Sequence, residues 1–182
     1  MLELEEIRKK AEAIALVNAA PDHAPLLYAM FTGKNTRRYS PVAGTSIEAL
    51  AERLALSGKK FTEEAPFYRF FGKIDHSVFG TFVLKNIDWN EREAEIGFCL
   101  LDEWQGRGFG SALVLKCVNK VFAEADINRL WATVSEPNKA CRKLMQRIGF
   151  VDNGFYMESF IVNGKPTPQI LYTLDKDQLH YQ

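Results

Sequence analysis

At 182 residues, 47% of them hydrophobic and 25% charged, the chain has the composition of one globular domain and not of a disordered segment. Its 23 Lys and Arg balance 23 Asp and Glu, which argues against the net basic face of a general nucleic-acid binder. No apolar run reaches the roughly 18 residues of a membrane span and the N-terminus is charged rather than signal-like, while Cys99, Cys117 and Cys141 fit no C-x-x-C metal or redox pattern; together these point to a cytoplasmic protein with reduced thiols and no metal.

Residues 2–12 read as a short amphipathic helix, followed by a strand over Ile14–Val17 unless the helix runs on through it. Pro21, Pro25 and Gly33 punctuate a helix near 22–31, and a loop follows over 32–45. Ser46 is placed to N-cap a helix near 47–57, with Gly58 ending it. Beyond Pro66 the character turns to strand. Runs at 67–74 and 77–85 flank a tight turn at Asp75-His76, and a third strand spans about 92–101 after the turn at Asp88-Trp89-Asn90. The chain then alternates helix 108–125, strand 129–135, helix 137–148 and strand 150–158. A closing strand over Gln169–Leu174 follows the Asn163-Gly164 turn. The pattern predicts a single mixed α/β domain over 1–182, with a β-meander leading into alternating helices and strands.

The junction Gln105-Gly-Arg-Gly-Phe-Gly110 carries the most chemistry. Glycines permit a tight turn and close ligand approach, and the helix that follows aims unpaired N–H groups and its positive dipole end back at them. Such a junction can cradle a phosphate. No lysine of the P-loop kind is present, which removes a nucleotide triphosphatase.

Four features stand in a fixed order: Glu95-Ile96-Gly97-Phe98 on a strand, Gln105-x-x-Gly108-x-Gly110 opening a helix, Arg129–Ser135 as the next strand, and Asn138-x-x-Cys141-x-x-Leu144 leading to Gly149-Phe150. Over about 78–174 this resembles the GNAT superfamily of acyl-CoA-dependent N-acyltransferases, in particular its RimJ/RimL-like branch. The resemblance implies a twisted, mostly antiparallel sheet with helices on both faces and two splayed parallel strands, 94–101 and 129–135. It implies acetyl-CoA as co-substrate. Its diphosphate would be held by backbone N–H groups from Gln105, Gly106, Arg107, Gly108, Phe109, Gly110 and Ser111. Its pantetheine arm would lie against Phe98, Cys99, Leu100 and Leu101 and be bonded by Asn138. Homodimerisation is common in the superfamily and is a further expectation.

Direct transfer from a thioester to an amine requires a base for the amine, stabilisation of the carbonyl oxygen and an acid for the departing thiolate. Glu95 is the candidate base, and its bland alternative is a surface charge. The tyrosine common seven residues after the helix asparagine is here Met145. Cys141 takes the place of a serine in RimL-like members, and as an ordinary thiol near pKa 8.5 it would match the leaving thiolate; packing on an apolar stripe is its plain alternative. A covalent acyl-cysteine route would want a histidine base, and His23, His76 and His180 lie in a loop or helix start, a turn and the tail. Arg38 and Tyr39 in the early loop and Tyr172 on the last strand are candidate acceptor contacts. The expected acceptor is a peptide or protein α-amine. A small-molecule amine (aminoglycoside, polyamine or amino acid) and a non-catalytic CoA-binding sensor stay open.

Overall fold

The computed structural model describes residues 4–41 and 44–179. The predicted helix start at Leu2–Glu3, loop positions Val42 and Ala43, and His180 lie outside the described residues. In chain order the elements are α1 (Leu4–Ala13), β1 (Ala15–Asn18), α2 (Ala24–Thr32), α3 (Ile47–Leu54), β2 (Tyr68–Ile74), β3 (Ser77–Asp88), β4 (Glu93–Leu100), α4 (Phe109–Glu124), β5 (Arg129–Ser135), α5 (Lys139–Ile148), β6 (Val151–Phe155), β7 (Phe160–Val162), β8 (Lys165–Thr167), β9 (Gln169–Asp175) and a last turn α6 (Lys176–Leu179). Seven strands form one sheet in the order β1-β2-β3-β4-β5-β9-β6, and β7 and β8 form a separate hairpin.

The sheet is antiparallel except where β4 meets β5. Its strands alternate, so each face has its own core. Tyr68, Phe70, Phe82, Leu84, Ile96, Leu130 and Tyr172 pack under α1, α4 and α5. Phe71 lies on the opposite face with Leu27, Met30, Leu50 and Leu54 from α2 and α3, and Cys99 packs against that cluster. Lys116 donates to the Ala11 carbonyl at 3.0 Å, closing the C-terminal end of α1 against α4.

Ser46 caps α3 as its type predicts, its Oγ accepting from the Ala49 N–H at 3.1 Å. The helix stops at Leu54, however, and Gly58 does not end it. Gly58 instead donates to the Phe67 carbonyl at 2.9 Å and lies flat against a ring: a Cβ there would sit 2.3 Å from Tyr68 Cε1. The ring is fully buried and cannot retreat. Gly58→Ala should therefore lower stability by about 2 kcal/mol through overpacking, read as a fall in thermal midpoint. Two further departures concern strand lengths. β3 runs on to Asp88 through a register shift between Lys85 and Asp88, and β7 and β8 occupy a stretch read only as a turn because three-residue strands carry no measurable alternation.

Candidate active site

β4 and β5 pair in parallel at Glu93–Arg129, Ala94–Leu130 and Glu95–Trp131, and no further. Beyond that vertex the two strands part, each held on its outer side. The Leu101 N–H donates to Phe79 at 3.0 Å, so ladder alternation directs the backbone groups of Leu101 and Cys99 to β3 and those of Phe98 and Leu100, beyond the last β4–β5 pair, into the gap. On the other wall the Glu136 N–H donates to Pro168 at 2.9 Å, which leaves Thr133 and the Ser135 N–H facing the gap by the same rule, while the Ser135 carbonyl accepts from the Asn138 N–H at 2.8 Å. The four residues expected to line an arm thus divide: Phe98 and the Leu100 N–H face the slot, while Cys99 and Leu101 are committed elsewhere. The Cys99 thiol points to α2, donating to the Met30 carbonyl at 3.3 Å. This division depends on register, which residue types alone do not reveal.

At the wide end of the slot stands the glycine junction. Gly106 and Gly108 take φ values of 72° and 82°, and Gly108 is the left-handed N-cap of α4 with no side chain capping it. The first intrahelical bond recorded at this end runs from the Ala112 N–H to the Gly108 carbonyl at 3.1 Å. Among the described residues, no partner is recorded for the N–H groups of Gly106, Arg107, Gly108, Phe109, Gly110 and Ser111. Orphan donors at a helix start are an anion cradle. Gln105 supports it differently from the expectation: its side-chain amide donates to the Leu100 carbonyl at 3.0 Å and to Asp102 at 3.3 Å. Trp104, Phe79 and Phe109 pack as an aromatic floor, with ring centroids 4.9–5.6 Å apart. Arg107 stacks over Trp104 and Phe109, and Lys10 of α1 reaches the Arg107 carbonyl at 2.9 Å. Both cations flank the cradle.

The loop after α2 bridges the wide end. The Lys34 N–H donates to Asp102 at 2.8 Å, just past β4, and Ser135 at the end of β5 donates to the Tyr39 carbonyl at 2.5 Å. Arg38 is exposed beside it, and Asn163 of the β7–β8 turn donates to the Arg37 carbonyl at 3.2 Å. Asn138 N-caps α5 through Oδ1, which accepts from the Cys141 N–H at 3.2 Å. Its Nδ2 has no partner recorded among the described residues, so capping and ligand binding do not compete for the same atom.

At the vertex, Glu95 is 12% exposed; Lys85 Nζ lies 3.2 Å from Oε1, and Asn86 Nδ2 donates to Oε2 at 2.5 Å. Asn86 reaches it from a positive φ of 46° at the irregularity in β3, a device that re-aims a side chain. Across the vertex Trp131 stacks on Tyr156 at 6.4 Å. Lys85, Asn86 and Tyr156 went unrecognised in the sequence because a bulge and a long-range stack bring them here.

Two expectations change. Tyr172 is fully buried beneath α5, receiving a hydrogen bond from Arg142 Nε at 3.2 Å and donating to Asp152 at 3.4 Å; it is a core residue, not an acceptor contact. Burial also pushes the Cys141 thiol up to about 12, so it does not match an ordinary leaving thiol, and proton transfer from it to a thiolate near 8.5 would run uphill. Cys141 stays a neutral hydrogen-bond donor at physiological pH. The sign follows for stability. A group whose folded pKa lies above its unfolded value contributes fully below about pH 9 and loses that contribution as pH climbs toward 12. The thermal midpoint should fall more steeply across that window in the wild type than in Cys141→Ala.

Comparison with known proteins agrees with this geometry. The model of the family described as acetyltransferase (GNAT) domain matches residues 14–151. The protein named "Putative ribosomal N-acetyltransferase YdaF" of Bacillus subtilis (strain 168) is 32% identical over 102 residues, 56% of each chain. The spermidine N(1)-acetyltransferase of Vibrio cholerae is 27% identical over 89 residues, 49% of this chain and 51% of its own. The chain therefore spans about half the length of these curated relatives. Among solved structures, the Vibrio cholerae spermidine N-acetyltransferase in complex with CoA and spermine superposes with a TM-score of 0.81 at 19% identity, covering 93% of this chain and 99% of its own. RimL, a ribosomal L7/L12 α-N-protein acetyltransferase, in complex with coenzyme A gives 0.77 at 18% identity, covering 90% and 94%. With 138 of 182 residues inside the family model, the chain belongs to the GNAT acetyltransferase family.

Proposed function

We propose that the chain is an acyl-CoA-dependent N-acyltransferase that moves an acetyl group from acetyl-CoA to a primary amine, a peptide or protein α-amine, by direct transfer. The observation that carries this reading is the three-residue pairing of β4 with β5 and the gap beyond it, opening onto orphan N–H groups at α4. A diphosphate fits those donors, and an amide-bearing arm fits the strand edges at Phe98, Leu100, Thr133 and Ser135 and the free Asn138 Nδ2. The thioester supplies an activated acyl carbon. Glu95 accepts the proton of the amine, directly or through water. The N–H of Phe98, turned into the gap, is the donor available to the acyl oxygen. Cys141 hydrogen-bonds the leaving sulfur, which departs as the thiolate and takes its proton from solvent. Arg38 and Tyr39, at the wide end, touch the acceptor chain or the arm.

The test is release of CoA thiol from acetyl-CoA with N-terminal peptides, spermidine and an aminoglycoside as acceptors. Peptide-dependent release supports the reading. Coenzyme A binding by calorimetry with no release for any amine would mark a binding module and sink it.

A further inference from the structure

The α2/α3 face beside Glu95 carries a cleft of about 310 Å³ between α3 and strands β2 and β3, lined by Arg53, Arg69, Val83, Lys85, Asn86 and neighbouring apolar side chains. Its lining holds three cations and no carboxylate. Arg69 is the central one. Its guanidinium makes one hydrogen bond, Nη1 to Thr81 Oγ1 at 3.0 Å, and lies against the Phe31 ring at 5.9 Å. Among the described residues, neither Arg69 nor Arg53 has a carboxylate within ion-pair distance. Burial first, and the neighbouring Arg53 second, lower Arg69 to about 10. Two arginines close enough to disfavour each other, one of them desolvated, form an arrangement that a bound anion would relieve. Glu95, beside the cleft, is engaged with Lys85.

The register fixes where this charge sits. Arg69 pairs with Val83, Val83 with Gly97 and Lys85 with Glu95. All five share one face, so the Cα atoms of Arg69 and Glu95 stand about 12 Å apart, from two strand spacings and one two-residue step. Gly97 leaves the path between them open; a Cβ there would meet Val83 Cγ1 at 3.2 Å.

We propose that this cleft is the acceptor's anion subsite, taking an Asp or Glu side chain at the second or third position of a peptide whose α-amine is at Glu95. The inference rests on the transfer reading above and narrows it. An extended peptide advances about 3.4 Å per residue, so a carboxylate on residue two or three reaches Arg69 and Arg53 while the amine stays at the vertex. A polyamine would bring cations to a cationic wall.

The test compares kcat/KM for N-terminal peptides of one length differing only at positions two and three: Asp or Glu, Asn or Gln, and Lys, with spermidine and free glutamate as further acceptors. Acidic peptides should exceed their amide counterparts at least 10-fold at low salt, the gap should narrow as salt rises, and Arg53→Gln and Arg69→Gln should each shrink it several-fold. Arg53 is exposed, so its variant reports even if Arg69→Gln fails to fold. Equal rates for acidic and amide peptides, spermidine or free glutamate matching the acidic peptides, or an unchanged ratio in both variants would overturn the subsite. Binding of the same peptides with acetyl-blocked N-termini, followed by calorimetry, separates the two readings. An acidic preference there without turnover keeps the cleft and removes the transferase, whereas turnover without preference does the reverse.

Discussion

Gly108→Val is expected to weaken coenzyme A binding about 100-fold, the loss of one or two charge-assisted hydrogen bonds worth roughly 1.5–3 kcal/mol each. Gly108 holds φ at 82° as the N-cap of α4. A β-branched residue is strained there by about 1–2 kcal/mol, and relieving the strain rotates the peptide planes on either side, which carry the N–H groups of Gly108 and Phe109. The variant will also melt lower, and stability alone must not be mistaken for a binding effect. Gly154 supplies the control. It has φ 82° on the edge strand β6, with nothing within 4 Å of an added Cβ. Gly154→Val should cost comparable stability and leave affinity for CoA where it was. Calorimetric titration of both variants with acetyl-CoA decides the matter; equal affinities for both would show that the turn at Gly108 is structural.

How much of this site could be read from the chain depended on the range of the interaction. The cradle was legible because its parts are consecutive: glycines, a helix start and an apolar helix face lie within a few residues. Ser46 was legible as a helix start for the same reason. Gly58 was misread because its close neighbour, Tyr68, is a tertiary contact across a loop. Tyr172 was misread because strand alternation does not say which face meets α5. The cationic cleft left no trace in a chain of balanced charge. Arg53, Arg69 and Lys85 come from three elements and meet only when β2, β3 and α3 assemble. Acidity was hidden too: Cys141 looks like an ordinary thiol in sequence, and only its burial moves it.

Glu95→Gln should lower kcat about 100-fold or more, the usual contribution of a positioned general base, with the dissociation constant for coenzyme A unchanged. The substitution keeps the side chain's shape and one acceptor oxygen for Asn86 or Lys85. The ion pair it breaks involves a lysine 41% exposed, so the stability cost should stay within about 1 kcal/mol. The competing account is that Glu95 serves only to hold Lys85 and the β3 irregularity in place. The two accounts part on the pH dependence of kcat, which ionisation of the free amine does not enter. Removing a base abolishes the limb on which rate rises with pH, while loosening a scaffold scales the whole profile and keeps its shape. Lys85→Gln sharpens the comparison, because it breaks the same ion pair and leaves the carboxylate. A large loss in Glu95→Gln with the rising limb gone, beside a retained limb in Lys85→Gln, assigns the proton to Glu95. Two profiles of identical shape would mean that the carboxylate positions Lys85 and that the amine loses its proton to solvent.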